Sequence, residues 1–381
     1  MGKILILSAS TGGGHNRAAH ALKETFEKEN IQVDILDTLK FVNPTMDKII
    51  SKGYEKSAIY TPKAYGRLYK YSDLNIAKKE LNKNLLLEYM VRKLKKFFKQ
   101  NSYDFIIGTH PFPLMAVSKL KEKNILKTPV MSILTDYTIH STWVCKNIDY
   151  YITGDEFVKS LLIREGIDSD DIHPFGIPVE SKFLETRDKK EVLDELGLFD
   201  DKLTVLLMGG SFGAGNVLDE FNKLLDVDYD IQIIAVAGRN KSLKDKLQKA
   251  YENSFTDKKV LIYGFTKNIN NLMNISDILV TKPGGLTTTE ALLMEIPLII
   301  PYFIPGQEGE NLDFLLNNGL ALKTTKKYDL KILVEVLIEN PHRLKRIKEN
   351  MNYIKKLDSS ENIYKLYTDY INSNLKSALK A

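Results

Sequence analysis

The stretch SDILVTKPGGLTTTEALLMEIPLIIPY, residues 276–302, contains two short apolar runs with a helical segment between them. The runs DILVT and PLIIPY are almost continuously apolar, as strands are when both faces of a parallel sheet are covered. The glycines of KPGG end the first run, and a helix is expected to open at Thr287. Strand, helix and strand in this order predict a βαβ unit, and therefore a parallel α/β sheet.

The same alternation of apolar runs and helical segments recurs along the rest of the chain. The runs fall into two sets of about five, which predicts an α/β fold with two doubly wound, Rossmann-like domains. The first set is 3–9, 32–37, 105–109, 129–135 and 150–153, and the second is 203–210, 231–238, 259–265, 277–281 and 297–302.

The strand pattern is interrupted by proline, glycine and charged residues between 174 and 197, which suggests a domain boundary there. We therefore expect a first domain at 1–182 and a second at 183–360. Residues 361–381 have the pattern of an amphipathic helix that packs back on the first domain. Because open parallel sheets bind ligands at the carboxyl ends of their strands, the loops of both domains are expected to face a central cleft.

Composition excludes several classes of protein. The chain has 381 residues with 54 basic and 49 acidic side chains, and a net charge of +5 is too small to indicate a nucleic-acid partner. A single cysteine, Cys145, excludes an internal disulfide and fits a reducing compartment. No apolar run approaches the roughly 18 residues of a spanning helix, and the N-terminus lacks a secretory pattern. A cytoplasmic protein is expected, with at most a peripheral membrane contact.

The glycine turn of KPGG predicts a phosphate site. Free backbone N–H groups at the start of a helix attract anions, and Gly284 and Gly285 would allow a phosphate to come close. Thr287 and Thr288 add hydroxyl donors at the same end, and Glu290 could accept hydrogen bonds from two hydroxyls of a ribose. The alternative is a capping box, with Thr287 as the N-cap and Glu290 at N3.

Other apolar runs of the second half also end in glycine-bearing loops. These loops are GGSFGAG (209–215), AGRN (237–240) and YGFTKNI (263–269). Glycine lets the backbone approach a ligand closely, and Arg239 adds positive charge. The candidate contacts in these loops are Gly210, Ser211, Gly238, Arg239, Phe265 and Thr266. With the phosphate turn, they predict a site for a nucleoside diphosphate.

These motifs carry a family resemblance. The series GGSFGA, GF, KPGGLTTTE and PGQEGEN resembles the nucleotide-sugar half of GT-B glycosyltransferases, among them the bacterial cell-wall transferase that makes lipid II. PGQEGEN (305–311) is most similar to the diacylglycerol glycosyltransferases, which include plant monogalactosyldiacylglycerol synthase and the bacterial processive diacylglycerol beta-glucosyltransferase. The resemblance spans nearly the whole chain and implies a GT-B fold.

The resemblance assigns roles to the nucleotide loops. It implies a UDP-sugar donor whose ribose is held by Glu290 and whose diphosphate is held by Thr287 and Thr288. It also implies that Arg239 neutralises phosphate. The backbone of Phe265 and Thr266 would read the uracil base.

The PGQEGEN segment has an implied role of its own. In the resembling family, the Gln-Glu pair of this segment contacts the sugar, which here corresponds to Gln307 and Glu308. Asn311 closes the same segment and is expected to contact the donor as well.

The first half is similar to the acceptor half of the same family. The similar segments are THPFP (109–113), TDYTIHSTW (135–143), FGIPVESKF (175–183) and the N-terminal TGGGH (11–15). They imply diacylglycerol, or a glycosyl-diacylglycerol, as the acceptor.

His15 is the first candidate for the catalytic base. A neutral imidazole can take the proton of an acceptor hydroxyl near neutral pH, and the family favours the histidine of GGGH in this role. Asp136 is the second candidate, as base or as the group that orients His15. The alternatives for His15 are a helix N-cap and a structural contact to phosphate.

No metal or other cofactor is expected. The helix start at Thr287 and the charge of Arg239 would stabilise the leaving diphosphate in place of a metal ion. A metal site built from His15, His110 and His140 is the alternative, although no two histidines lie at i and i+4 with an acidic partner, as a helical zinc site requires.

Residues 53–99 are the candidate membrane contact. They comprise a tyrosine-rich stretch (53–71) and a basic amphipathic segment (78–99), whose apolar stripe is Leu85, Leu86, Tyr89, Met90, Leu94 and Phe97 or Phe98. Basic helices are attracted to anionic lipid, which would place the protein peripherally on the cytoplasmic face of the cell membrane. The alternative is a surface helix that packs its stripe on the sheet.

The resemblance implies an inverting glycosyltransferase that makes membrane glycolipid. It would transfer a hexose, with glucose expected, from a UDP-sugar to diacylglycerol and could add further sugars to its own product. One alternative is a UDP-sugar 2-epimerase of the same two-domain build, which needs a pair of acid and base carboxylates that the sequence does not display. A non-catalytic UDP-sugar sensor is the other alternative.

Overall fold

The computed structural model describes residues 2–10, 13–43, 85–210 and 215–380, with side chains as far as residue 373. The chain forms two compact units. The first consists of Met1–Glu180 together with Lys356–Ala381, and the second consists of Ser181–Lys355.

The first unit is built on a parallel sheet of six strands in the order β2-β1-β3-β4-β5-β6. The strands are β1 (Lys3–Ser8), β2 (Gln32–Asp37), β3 (Phe105–Gly108), β4 (Val130–Ile133), β5 (Tyr150–Ile152) and β6 (Ile172–His173). The five strands expected from the sequence are present. The sixth, β6, has two residues and was missed because so short a run has no periodicity to detect.

Helices cover both faces of this sheet. They are α1 (Gly14–Lys28), α2 (Thr38–Val42), α3 (Leu85–Gln100), α4 (Pro111–Glu122), α5 (Glu156–Arg164) and the final helix of the chain, Ser359–Lys380. Alternation along β1 explains the continuous apolar run, since Leu5 and Leu7 join one buried cluster and Ile4 and Ile6 join the other. Burying each such side chain stabilises the fold by about 1.5–3 kcal/mol.

The last helix, Ser359–Lys380, belongs to the first unit. Ile363 and Tyr367 are buried in the same apolar cluster as α1 and the sheet. The Tyr367 ring meets the rings of Phe26 and Phe105 edge to face, with both centroid distances 5.4 Å. Aromatic edge contacts of this kind add stability beyond the buried area.

The second unit also has a parallel sheet of six strands, in the order β12-β11-β10-β7-β8-β9. The strands are β7 (Thr204–Met208), β8 (Gln232–Val236), β9 (Val260–Tyr263), β10 (Ile278–Val280), β11 (Leu298–Ile300) and β12 (Ala321–Lys323). The three-residue strand β12 was not foreseen. Its position at the sheet edge comes from pairing with β11, which no local pattern announces.

The helices of the second unit follow its strands in alternation. They are α6 (Lys189–Leu196), α7 (Val217–Leu225), α8 (Lys241–Glu252), α9 (Ile269–Asn274), α10 (Gly285–Leu293), α11 (Gln307–Asn317), α12 (Leu330–Glu339) and α13 (Pro341–Ile354). The final helix of the chain, α14 (Ser359–Lys380), is the one that packs on the first unit.

Each sheet has one point at which the strand order reverses, because later strands are added on the opposite side of the first strand. In the first sheet this point lies between β1 and β3, and in the second it lies between β7 and β10. The loops that follow the two strands at this point run to opposite faces of the sheet. A crevice therefore forms between them at the carboxyl edge, where α/β sheets bind ligands. The topology therefore selects the loops after β1, β3, β7 and β10 as candidate site loops.

The carboxyl end of β3 depends on a glycine. An added Cβ at Gly108 would lie 2.4 Å and 2.5 Å from two side-chain carbons of Leu114, which is fully buried in α4. We predict that Gly108→Ala lowers the free energy of unfolding of the first unit by about 1–3 kcal/mol through overpacking. Urea denaturation followed by fluorescence of Trp143, the only tryptophan of the chain, measures this loss.

Leu114→Ala provides the control, because it removes the side chain that a Cβ at Gly108 would strike. The double variant should lose less stability than the sum of the two single variants. If the losses of the two single variants simply add in the double variant, contact with Leu114 is not what makes Gly108→Ala destabilising.

Candidate functional site

In the first unit, the loop after β1 delivers His15 to the first turn of α1. The N-cap of this helix is Gly13, and no side chain caps it. His15 is the second helical residue, so the expectation that it could serve as the N-cap is wrong. Its ring is therefore available for tertiary contacts at the carboxyl edge of the sheet.

Two groups from the neighbouring strand ends contact one nitrogen of His15. Nδ1 lies 2.7 Å from the carbonyl oxygen of Thr109 and 2.9 Å from Oγ1 of Thr135. A carbonyl only accepts, so Nδ1 carries the proton and donates to Thr109. Nε2 then holds the lone pair, and it makes no hydrogen bond to any described residue. The fold thus fixes the tautomer that presents a base at Nε2.

Burial keeps the His15 ring neutral. Desolvation lowers the pKa of His15 to about 4, and the hydrogen bond to the backbone of Thr109 opposes this only in part. Because the pKa is lowered, the ring stays neutral, with Nε2 unprotonated, down to about pH 4.

Among the described residues, His110 is the nearest aromatic neighbour of His15. The two ring centroids lie 4.5 Å apart with the rings edge to face. The ring centroid of Trp143 lies 6.4 Å from that of His15. His110 caps α4, where its Nδ1 accepts from the backbone N–H of Phe112 at 3.1 Å. Burial, and secondarily the repulsion that a second positive charge on His15 would exert, holds the pKa of His110 well below its usual value. Two neutral imidazoles thus lie together at the β1–β3 crevice.

Asp136 and His140 lie in the loop after β4. Asp136 is buried and follows Thr135, the residue whose hydroxyl contacts His15. His140 instead caps the short helix Ser141–Trp143, where its Nδ1 accepts from the backbone N–H of Thr142. Among the described residues, no cluster of three metal-binding side chains includes these histidines.

In the second unit, α10 begins at Gly285, the last residue of KPGG. Its N-cap is Gly284, which has no side chain and forms no side-chain cap. Thr287 is the third helical residue, so the capping box with Thr287 and Glu290 is absent and that alternative is wrong. The first N–H groups of α10 are left without a side-chain cap, which is the arrangement an anion-binding helix start requires.

The threonines of α10 differ in their contacts. Thr289 donates to the carbonyl of Gly285 at 2.9 Å, a bond within the helix. The hydroxyl of Thr288 is buried and has no hydrogen-bond partner among the described residues. Glu290 is also buried, with 2% of its surface exposed. An unsatisfied buried hydroxyl costs about 1–3 kcal/mol, so Thr288 keeps an unused hydrogen-bond donor in the first half of α10.

Sequence reasoning missed Lys282, the residue immediately before the turn. Its Nζ forms an ion pair with Oε1 of Glu308 at the start of α11. Oε2 of Glu308 accepts from the backbone N–H of Ile304 at 2.8 Å. The signal was present in the quoted KPGG, since a lysine at the end of a strand that leads into a glycine turn is suited to anion binding.

The PGQEGEN segment is joined to the KPGG turn at a second point. Nδ2 of Asn311, which is fully buried, donates to the carbonyl of Pro283 at 3.0 Å. Gln307 is the first residue of α11, next to Glu308. The structure therefore brings together the residues around Gly284, Thr288, Glu308 and Asn311 in one unit.

The remaining predicted contacts lie on the loops after β7, β8 and β9. Arg239 is exposed and its guanidinium lies 5.4 Å from the ring centroid of Phe265, which is 61% exposed. Gly210 and Gly238 both have left-handed backbone angles, with φ of 67° and 62°. The Thr266 hydroxyl accepts from the backbone N–H of Asn268. Ser211 lies outside the described residues.

Comparison with family models divides the chain in the same two parts. Residues 15–179 match the monogalactosyldiacylglycerol (MGDG) synthase model, and residues 195–352 match the model of glycosyl transferases group 1.

Comparison with curated proteins finds relatives over almost the full length. The chain is 30% identical over 362 residues to a processive diacylglycerol beta-glucosyltransferase of Bacillus pumilus, covering 95% of this chain and 93% of the relative. It is 29% identical over 363 residues to a protein of the same name from Bacillus cytotoxicus, covering 95% and 92%.

Solved structures share the fold. MurG from Acinetobacter baumannii superposes with a TM-score of 0.63 at 14% identity, covering 96% of this chain and 99% of MurG. The UDP complex of MnaA from S. aureus superposes with a TM-score of 0.66 at 14% identity, covering 98% and 97%. The predicted GT-B fold is confirmed, and at this identity the likeness concerns the fold alone.

The His15 tautomer can be measured directly. We predict that ¹⁵N imidazole NMR at pH 7 shows a protonated Nδ1 and an unprotonated Nε2 for His15, because only this form donates to the Thr109 carbonyl. On acidification the ring should gain its second proton at about pH 4. His15→Gln assigns the signals, and an Nε2–H tautomer or a titration near 6.5 would contradict the arrangement.

Proposed function

This chain belongs to the diacylglycerol glycosyltransferase family, and from that membership we propose that it transfers glucose from UDP-glucose to diacylglycerol with inversion. The product is a β-linked glucosyl-diacylglycerol. We also propose that this product serves as acceptor for further glucose units. The names of the Bacillus relatives support glucose and repeated addition.

The observation that carries the proposal is the neutral His15 ring with its lone pair on Nε2. A base must accept the proton of the acceptor hydroxyl as this oxygen attacks the anomeric carbon. Thr109 holds the proton on the other nitrogen, and the lowered pKa of His15 keeps the ring unprotonated at neutral pH. His15 is therefore proposed as the base, with Asp136 as the residue that helps to orient it or the acceptor.

The donor is proposed to bind in the second unit. The uncapped start of α10 and the unsatisfied hydroxyl of Thr288 support a diphosphate site there. Glu290 is proposed for the ribose, the backbone at Phe265 and Thr266 for the uracil, and Gln307 for the sugar.

One displacement then completes the reaction. The proton of the acceptor hydroxyl moves to Nε2 of His15, and the acceptor oxygen forms a bond to the anomeric carbon. The bond from that carbon to the β-phosphate oxygen breaks, and its electron pair leaves with UDP. A single displacement inverts the anomeric centre, and dipoles fixed at the start of α10 stabilise the charge of the leaving group.

A peripheral contact with an anionic membrane is proposed for α3. No described helix has both the length and the apolar character needed to cross a membrane. The stripe expected to meet lipid instead packs inward, since Met90 and Leu94 are buried in the core. The exposed face of α3 is basic, with Arg92, Lys95, Lys96 and Lys99. Residues 53–84 of the expected contact lie outside the described residues.

Transfer to lipid is the decisive assay. The protein is incubated with radiolabelled UDP-glucose and diacylglycerol vesicles, and the lipid is extracted and separated by the number of sugars. Label in β-glucosyl-diacylglycerol is expected, and UDP-galactose should be the poorer donor. Label that remains entirely in water with both donors would refute a diacylglycerol transferase.

His15→Gln tests the base in the same assay. We predict a loss of transfer of at least about 100-fold, since general bases contribute on the order of 10²–10⁴ in rate. UDP binding measured by calorimetry should be unchanged. His20→Gln is the matched control, because His20 is an exposed histidine of the same helix. A loss of UDP binding in His15→Gln would make His15 a donor ligand instead.

Membrane binding by α3 has a separate test. Replacing Lys95, Lys96 and Lys99 with glutamine should weaken binding to phosphatidylglycerol vesicles by about 100-fold, at roughly 1 kcal/mol per charge. Binding to phosphatidylcholine vesicles should be weak for all forms. The control replaces Lys241, Lys246 and Lys249, exposed lysines of α8. Equal losses in the two triple variants would mean that α3 has no special role.

A further inference from the structure

Glu308 occupies an unexpected position for a residue assigned to the sugar. Both of its carboxylate oxygens are engaged by the protein, Oε1 by Nζ of Lys282 and Oε2 by the backbone N–H of Ile304. The side chain is buried, with 8% of the residue exposed. A carboxylate satisfied in this way is arranged to hold other groups in place.

Lys282 is the group that Glu308 holds. Its side chain is 25% exposed and passes beside Gly210, where an added Cβ would lie 3.0 Å from the lysine Cε. An ammonium group has three N–H donors, and the described residues engage one of them, through Glu308. Lys282 thus keeps N–H donors for a ligand, and it lies two residues before Gly284, the N-cap of α10.

Three features therefore lie within seven consecutive residues, 282–288, around the start of α10. They are the uncapped N–H groups after Gly284, the buried hydroxyl of Thr288 without a partner, and the ammonium of Lys282. Each of the three can donate a hydrogen bond to an anion. Gly210 and Lys282 lie just after β7 and β10, the strands on either side of the reversal point of the second sheet.

We propose that Lys282 is a catalytic residue that contacts the diphosphate and stabilises its charge as UDP leaves, and that Glu308 is a positioning residue that holds Lys282. This rests on the proposed function for the nature of the donor. It replaces the role of sugar ligand that the family resemblance implied for Glu308.

Arg239 is the other cation that was considered for the phosphate. It is exposed and stacks on Phe265, on the loops after β8 and β9. No described carboxylate forms an ion pair with it. Lys282, in contrast, is fixed by a buried partner at the helix start, and a cation fixed before reaction contributes more to charge stabilisation than a mobile one.

The test measures binding of UDP and of uridine to the full chain by calorimetry. Lys282→Gln should weaken UDP binding by about 10- to 100-fold, the range of a charge-assisted hydrogen bond, and leave uridine binding unchanged. Lys282→Arg should lose less, because the positive charge remains. Lys202→Gln is the matched control, since Lys202 is an ion-paired lysine of the same unit with 30% exposure.

Glu308→Gln tests the positioning role. It should weaken binding of UDP and of UDP-glucose by the same factor and leave uridine binding unchanged. Combined with Lys282→Gln, it should cause no further loss, because the group that it positions is already absent. A residue needed only for stability would not separate UDP from uridine in this way.

Several results would overturn the proposal. Wild-type UDP affinity in Lys282→Gln would exclude Lys282 as a phosphate contact. A loss for UDP-glucose but not for UDP in Glu308→Gln would restore Glu308 as a sugar ligand. If Lys282→Gln does not fold, Lys282→Arg and Glu308→Gln decide by the same comparison of ligands.

Failure of the proposed function leaves a different signature. A protein that binds UDP through Lys282 but does not label diacylglycerol would refute the acceptor and keep this inference. A protein that labels diacylglycerol but binds UDP equally well in the wild type and in Lys282→Gln would refute this inference alone.

Discussion

The structure depends on parallel pairing between strands that are far apart in sequence. In the second sheet, β7 pairs with β10, so that Val205 lies opposite Ile278. In the first sheet, β1 pairs with β3, so that Leu7 lies opposite Gly108. Each pair flanks the point at which strand addition reverses, and its loops leave toward opposite faces. Both groups of candidate site residues lie at these two points.

Burial then sets the charge of the side chains at these points. At the first, desolvation and a backbone carbonyl keep His15 neutral and fix its proton on Nδ1. At the second, a buried carboxylate holds the cation Lys282 beside the start of α10. A proton acceptor needs a neutral ring and a leaving diphosphate needs positive charge, so each environment suits the chemistry proposed for it.

The sequence allowed most of the fold to be predicted. The expected strands are all present, because runs such as Ile4–Leu7 are apolar on both faces and end in turn residues. The strands β6 and β12, of two and three residues, were missed because pairing with a neighbour defines them. The apolar stripe of α3 was recognised, but whether it met lipid or the core depended on the helices and strands around it.

The sequence by itself determined the two α/β units, the family and the segments that form the candidate sites, since these follow from local periodicity and from motifs. Only the tertiary structure decided how single residues act. It placed the N-cap of α10 at Gly284, chose the tautomer of His15 through Thr109, and paired Lys282 with Glu308. These outcomes depend on contacts between distant residues, and a charge or a proton is fixed by the groups around it in space.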